Sequence, residues 1–388
     1  VSNLLPGDTC TVTVTGGQTD AGSYTATATA LSNGNYTLPS NVTADFSIAP
    51  KNITVTITPN GGVYAGTITP AAAELTGVCD GDTVEVTLTY TGTANDGTVV
   101  NSTDTPTLAG TYTVTATIAD SNYNLTGTNT AEFVVVKANA GLSVGTVPEK
   151  TYGDAAFKLD VHADSDGKVT YSSHNKDTAT VDENGIVTLH NVGTATLTAE
   201  VAETANYEGG KVTVTVTVVR KNATLTVDKL TYNVTYGDAD FIIGYVSEGE
   251  SSVTFTSSNE KVATVDKNGV VHIVSAGSAT ITLNMEQSGN YNAVSKKVEV
   301  IVAPKAITVT AHNQTKIYDE DDPELTYTAV GLVGEDTLTG ITLTRADGEN
   351  AGEYDITASR ADGANPNYDI TFKSGTLTIA ARDIADAK

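Results

Sequence analysis

Along most of this chain β-branched apolar residues alternate with threonine. Thr54-Val55-Thr56-Ile57-Thr58 and Val212-Thr213-Val214-Thr215-Val216-Thr217-Val218 are two examples. A period of two places the apolar side chains on one face and the hydroxyls on the other, the signature of strands with one buried and one solvated side. No long stretch carries helical periodicity with caps. The strands are short and separated by Gly, Asn and Asp, about seven per 84 residues, which fits a Greek-key sandwich of immunoglobulin type. The hydrophobic fraction of 39% is low for one large globule and suits several small cores. The expected fold class is therefore all-β: an elongated tandem array of immunoglobulin-like Greek-key β-sandwiches.

The array is visible as a long period. An Asn-Tyr pair recurs at Asn35-Tyr36, Asn122-Tyr123, Asn206-Tyr207, Asn290-Tyr291 and Asn367-Tyr368, and the tyrosines follow one another at 87, 84, 84 and 77 residues. The setting of each pair, just before a last alternating segment, predicts scaffold, with Asn in a turn and Tyr in a core. Three matched strands precede pairs, beginning Ala21-Gly22-Ser23-Tyr24, Ala109-Gly110-Thr111-Tyr112 and Ala351-Gly352-Glu353-Tyr354. Their tyrosines are expected to be corner tyrosines, with hydroxyls tied back to nearby backbone. Junction phrases such as Ala49-Pro50-Lys51 and Ala303-Pro304-Lys305 divide the chain into modules at 1–50, 51–137, 138–220, 221–304 and 305–381. Residues 382–388 read as the start of a following module. Against the last module, the first lacks about 24 residues, so an open sheet edge is expected there, filled alone or by an added strand. Links this short favour a semi-rigid string.

Charge and cysteine content narrow the partners. The net charge of −25, from 46 acidic and 21 basic residues, repels phosphate backbones and anionic membranes. Neither nucleic acid nor membrane insertion is expected, and no run of about 20 apolar residues or signal peptide is present. Cys10 and Cys79 occupy non-equivalent positions in different modules, so no disulfide staples any one of them.

Two modules share the phrases Val169-Thr170-Tyr171-Ser172-Ser173, Ala179-Thr180-Val181-Asp182-Glu183-Asn184-Gly185 and Gly193-Thr194-Ala195-Thr196, repeated from Val253, Ala263 and Gly277. Residues 138–304 thereby resemble two bacterial immunoglobulin-like domains of group 2. Residues 305–381 resemble the MBG repeat through Lys316-Ile317-Tyr318-Asp319, Gly331-Leu332-Val333-Gly334-Glu335-Asp336, Ala351-Gly352-Glu353-Tyr354 and Asn367-Tyr368-Asp369-Ile370. Residues 1–137 share its later phrases. The resemblance implies a large secreted or wall-attached bacterial surface protein, often an adhesin, in which such modules serve as stalks.

Candidate chemistry is sparse. Asp182-Glu183-Asn184-Gly185 and Asp266-Lys267-Asn268-Gly269 read as tight hairpins rather than calcium loops, because the spacing of an EF-hand is absent. Tyr152-Gly153-Asp154 and Tyr236-Gly237-Asp238 also read as turns. The run Asp319-Glu320-Asp321-Asp322 offers oxygen ligands and is the place where calcium, the one cofactor considered, would bind. His162, His174, His190, His272 and His312 lack metal-ligand spacing, no nucleophile elbow or phosphate loop exists, and no catalytic or metal residue is assigned. Lys51, Lys137, Lys221 and Lys305 could each start a Lys–Asn isopeptide crosslink, but the closing strands offer no Asn. A glycan or protein ligand is expected at Tyr64 and Tyr90 or at the insertion Gly92 to Thr107, since these depart from the repeat. The expected function is a non-enzymatic stalk projecting a distal domain from the bacterial surface, with neighbouring modules as its partners. Two alternatives are an adhesin segment that binds through module-end loops and a fibre subunit that self-assembles by strand addition at 1–50.

Overall fold

The computed structural model describes residues 1–40 and 42–383. Every named element among them is a strand. Each sheet is drawn from one of five stretches of chain, 12–48, 51–136, 143–219, 221–303 and 305–380, and no sheet takes strands from two of them.

The threonine alternation explains the strands. In Gly193–Val201 the side chains of Ala195, Leu197, Ala199 and Val201 are buried, while the intervening threonines face outward or sideways. Gly277–Met285 repeats this with Ala279, Ile281, Leu283 and Met285. Full burial of each Val, Leu, Ile or Met among them stabilises by roughly 1.5–3 kcal/mol. The buried apolar residues form four separate clusters, one in each of the four later stretches.

Those four groups share one plan. The closing strand lies between a long antiparallel strand that begins at a glycine and a short parallel strand from the start of the same group. Val294–Ala303, for example, pairs with Gly277–Met285 on one side and Thr231–Thr235 on the other. A second, smaller sheet covers the other side of the core; in the 221–303 group it orders Phe241–Ile242, Val270–Ile273 and Ala263–Val265. The 143–219 group orders its sheets in the same way.

The 12–48 group is different. Its sheet has three strands, Val12–Thr15, Gly22–Leu31 and Thr43–Ile48, and among the described residues no second sheet lies over it. None of its described residues is buried. Among the described residues the outer edge of Thr43–Ile48 carries no parallel strand. At the other end Arg382 and Asp383 are not in a strand, and residues 384–388 of the anticipated next module lie outside the described residues.

Surface area reports how the groups are arranged. The chain exposes 22957 Å². One compact monomer of 40.0 kDa would expose about 14,400 Å², whereas five separate bodies of a fifth that mass would expose about 22,300 Å². The groups therefore cover one another very little. Small-angle scattering should give a radius of gyration of roughly 40 Å, as for five small bodies placed end to end; a value near the 21 Å or so of a compact 388-residue globule would contradict the array.

Candidate functional site

With so little surface shared, the junctions are where neighbouring groups meet, and the Asn-Tyr pairs lie there. The links are Ala49-Pro50 between Ile48 and Lys51, Lys137 between Val136 and the Ala138–Tyr207 bridge, Arg220 between Val219 and Lys221, and Pro304 between Ala303 and Lys305. Immediately after each link, a backbone N–H donates to the main-chain carbonyl of that group's own Asn: Lys51 to Asn122 at 2.8 Å, Ala138 to Asn206 at 2.9 Å, Lys221 to Asn290 at 3.0 Å and Lys305 to Asn367 at 2.9 Å. This parks the Asn side chain against the preceding group.

There the Asn Oδ1 accepts a hydrogen bond from the residue just before the long-strand glycine. The donors are the N–H groups of Ala21 to Asn122 at 2.6 Å, Ala109 to Asn206 at 3.1 Å, Val192 to Asn290 at 3.0 Å and Ala276 to Asn367 at 2.8 Å. Two of these amides also donate: Asn122 Nδ2 to Asp20, and Asn290 Nδ2 to Glu250 and Asn191. A carboxylate could accept but not donate, and would set a second negative charge beside Asp20 or Glu250, so Asn fits where Asp would not. The expectation that Asn serves only its own turn is corrected: it is the tie across each junction.

The tyrosines work on both sides of the boundary. The hydroxyls of Tyr36, Tyr123 and Tyr368 hold a loop of their own group. Each accepts a backbone N–H, from Leu5, Cys79 or Val333, and donates to a carboxylate three residues on, Asp8, Asp82 or Asp336. The rings of Tyr207, Tyr291 and Tyr368 meet Tyr64, Tyr152 and Tyr236 of the preceding group edge-on, at centroid distances of 5.3, 5.6 and 5.6 Å. Such pairs contribute about 0.5–1.5 kcal/mol beyond their area. At the last of these junctions Tyr236 also donates to Asp336 of the following group at 2.9 Å.

Several sequence readings take their place here. Tyr24, Tyr112 and Tyr354 are corner tyrosines, donating to the carbonyls of Ala21, Leu108 and Asn350. Asp182 Oδ1 accepts the N–H groups of Asn184 and Ile186, and Asp266 does the same for Asn268 and Val270, with Gly185 and Gly269 at φ of 77° and 80°. Those donors, the Ile186 and Val270 amides foremost, hold both carboxyls below the usual range. The Tyr-Gly-Asp phrases are turns too, since Asp154 and Asp238 accept the N–H of Thr151 and Thr235.

Other readings are corrected. Tyr90 is 2% exposed, packed on Phe133 with its hydroxyl bonded by the Ala71 amide, and Tyr64 leans on Tyr207; they do not form an exposed sugar platform. The Gly92 to Thr107 insertion is a hairpin in which Val86–Ala94 returns as Val99–Ser102, and Asn95 at its tip donates to Ala205 of the next group. The acidic run does not converge. Asp319 pairs with Arg382, Glu320 caps the Ile317 amide, and Asp322 bonds Lys316 and Arg345. Among the described residues no three His, Cys, Asp or Glu side chains come together as a metal site.

Sequence reasoning missed the buried Lys316. Its ammonium, 4% exposed, bonds Asp322 at 2.7 Å and Glu349 at 2.6 Å, while Arg345 bonds the same two carboxylates. Hydrogen bonds from Arg345 and then Lys316 hold Asp322 below its ordinary value, and those from Asp322 and then Glu349 raise Lys316. The signal was a lysine on an apolar position of a period-two strand. Of the lysines considered for crosslinking, Lys137 and Lys221 instead reach carboxylates, Glu203 and Glu248, and Lys51 lies 3.4 Å from Cys79. Cys10 and Cys79 are free. His162 and His272 each pair with a single aspartate, apart from one another.

With this geometry established, comparison with known proteins places two of the groups. Residues 241–298 match the family of bacterial Ig-like domains, group 2. Residues 307–378 match the MBG domain, YGX type. These are the two families that the sequence motifs resemble, and both consist of non-catalytic structural domains. A 128-residue stretch is 30% identical to an uncharacterized protein of Clostridium acetobutylicum, covering 32% of this chain and 13% of that protein. Among solved structures, the S-layer protein SbsC is 18% identical over 89% of this chain and 55% of its own, with a TM-score of 0.25. Drosophila N-cadherin EC1-4 is 11% identical over 79% of this chain and 94% of its own, with a TM-score of 0.24. The chain thus spans an eighth of that curated relative and about half of the S-layer structure.

The last junction has a titratable handle. Burial, then the hydrogen bond to Asp336, pushes the Tyr368 hydroxyl up to about 12, and the same causes in the same order raise Tyr236. A phenol whose folded pKa lies above its unfolded value of about 10 stabilises fully below pH 10 and loses that contribution as pH rises through 12. Tyr232 of the 221–303 group is raised to about 12 as well, so absorbance titration of the phenolates should show a late step that is smaller in Tyr368→Phe. Alkaline loosening of the 305–380 group should follow the part that this substitution removes. Titration of every tyrosine near pH 10 would contradict this.

Proposed function

We propose that this chain is a stalk: modules bounded at 1–50, 51–137, 138–220, 221–304 and 305–381, followed by the start of another, set out on the outer surface of a bacterium. The observation that carries the reading is the Asn tie, made by the same side chain to the same backbone position at four successive junctions. A chain whose repeated feature is the joint between modules is built to control length and direction. The matches to bacterial Ig-like and MBG domains support a structural role in a surface protein.

The cores also suit a mechanical load. The closing strand of each later module is paired on both sides, as Gly375–Ala380 is between Gln314–Ile317 and Gly352–Arg360. Pulling a module by its ends must shear those ladders together rather than unzip them one bond at a time. A stalk of this kind needs no ligand of its own; its work is to hold a distal domain away from the cell.

Single-molecule pulling between the two ends tests this directly. Modules of about 80 residues should release one after another, each lengthening the chain by roughly 260–290 Å. A single cooperative rupture, or extension at negligible force, would contradict the stalk.

A further inference from the structure

The three junctions that follow the 51–137, 138–220 and 221–304 modules define a receiving surface. On it, a tyrosine N–H donates to the carbonyl at the end of the closing strand: Tyr64 to Val136, Tyr152 to Val219 and Tyr236 to Ala303. The residue after that tyrosine is left-handed in every case, Ala65 at φ 57°, Gly153 at 86° and Gly237 at 86°, which turns the ring outward to meet the next module. Nearby, the N–H before the long-strand glycine awaits the incoming Asn. Where a module has docked, this surface is covered: Ala109 is fully buried, Tyr64, Tyr152 and Tyr236 are half-buried, and a Cβ on Gly237 would collide with Val333 of the next module.

The 305–381 module has the same groups, and none of the described residues covers them. The Tyr318 N–H donates to Ala380 at 2.9 Å, and Asp319 is left-handed at φ 74° although it is not glycine. Tyr318 is 45% exposed and Ile317 beside it 43%. Ala351, the counterpart of Ala109 and Ala276, is exposed. One residue beyond Ala381, Arg382 stands where Lys305 stands after Pro304, held to Asp319 by its guanidinium.

We propose that the end of the 305–381 module bearing Tyr318, Ala351 and Arg382 is a docking surface for the Asn-Tyr turn of a further β-module of this same kind. The Asn Oδ1 would accept the Ala351 N–H, its carbonyl the Arg382 N–H, and the following Tyr ring would meet Tyr318 edge-on. The occupant follows from continuity with those three interfaces in the chain, each of which presents these groups to an Asn-Tyr turn. A tether of one residue makes the contact effectively intramolecular, so a small surface suffices. The inference rests on the stalk reading for its biological sense, but its test does not: scattering can report an extended chain whether or not this surface is used.

The chain has no tryptophan, so Tyr318→Trp introduces one reporter at the surface. In that variant of the 388-residue chain, emission should be that of a water-exposed indole, open to acrylamide. Appending a copy of 305–381 after Ala381 should blue-shift it and lower quenching to the level of a Tyr236→Trp chain, whose indole is already covered. Replacing the appended Asn-Tyr pair with Ala-Ala should restore exposure. Appending 51–137 instead gives a second reading that does not depend on one fusion folding, and each appended copy shows its folding as its own thermal transition. An indole left exposed by both folded fusions would overturn the proposal. So would an indole that becomes covered in the 388-residue chain as concentration rises, which would give the surface to a second copy.

Discussion

The structure depends on one repeated demand: the N–H that precedes the long-strand glycine has no partner inside its own module. A backbone donor shut away from water without an acceptor costs about 1–3 kcal/mol. At Ala109, which is fully buried, the acceptor comes from the next module's Asn206. Satisfying the donor and aligning the two modules are therefore the same event. Each tie is worth little by itself, a net 0.5–1.5 kcal/mol for an ordinary hydrogen bond. It suffices because the link is one or two residues long and the partner is always within reach.

Charge makes such ties necessary. With 46 acidic residues against 21 basic ones, adjacent modules repel at separations up to the Debye length of about 8 Å at physiological salt. The basic residues at the joints offset some of this. Lys137 reaches Glu203 and Arg220 Nε donates to the Ser288 carbonyl, both in the following module, while Lys221 reaches Glu248 within its own. The same acidity that keeps a long chain soluble is held off at the joints by cations and by a neutral amide.

What the sequence made legible was local. Threonine alternation placed the strands, Asp-x-Asn-Gly placed the hairpins, and a Tyr two residues after Gly placed the corner hydroxyls, because in each case the partner lies a few residues away. The role of Asn122, Asn206, Asn290 and Asn367 was hidden, since their acceptors face donors about 90 to 100 residues earlier in the chain. Tyr64 and Tyr90 looked exceptional for the same reason. One packs across a junction and the other inside a core, and neither neighbour is near in sequence. The acidic run at 319–322 misled because composition does not reveal that Lys316 and Arg345 take Asp322, Arg382 takes Asp319 and Glu320 caps a backbone amide.

The claim that the Asn-Tyr joints fix each module against the next is tested most directly by a distance across one of them. Spin labels at Thr117→Cys and Thr213→Cys, both exposed, in a chain with Cys10→Ser and Cys79→Ser, span the joint at Lys137. A narrow distance distribution that broadens in Asn206→Ala with Tyr64→Ala is the expected result. A distribution already broad in the parent chain, or one unchanged by the two substitutions, would contradict the account.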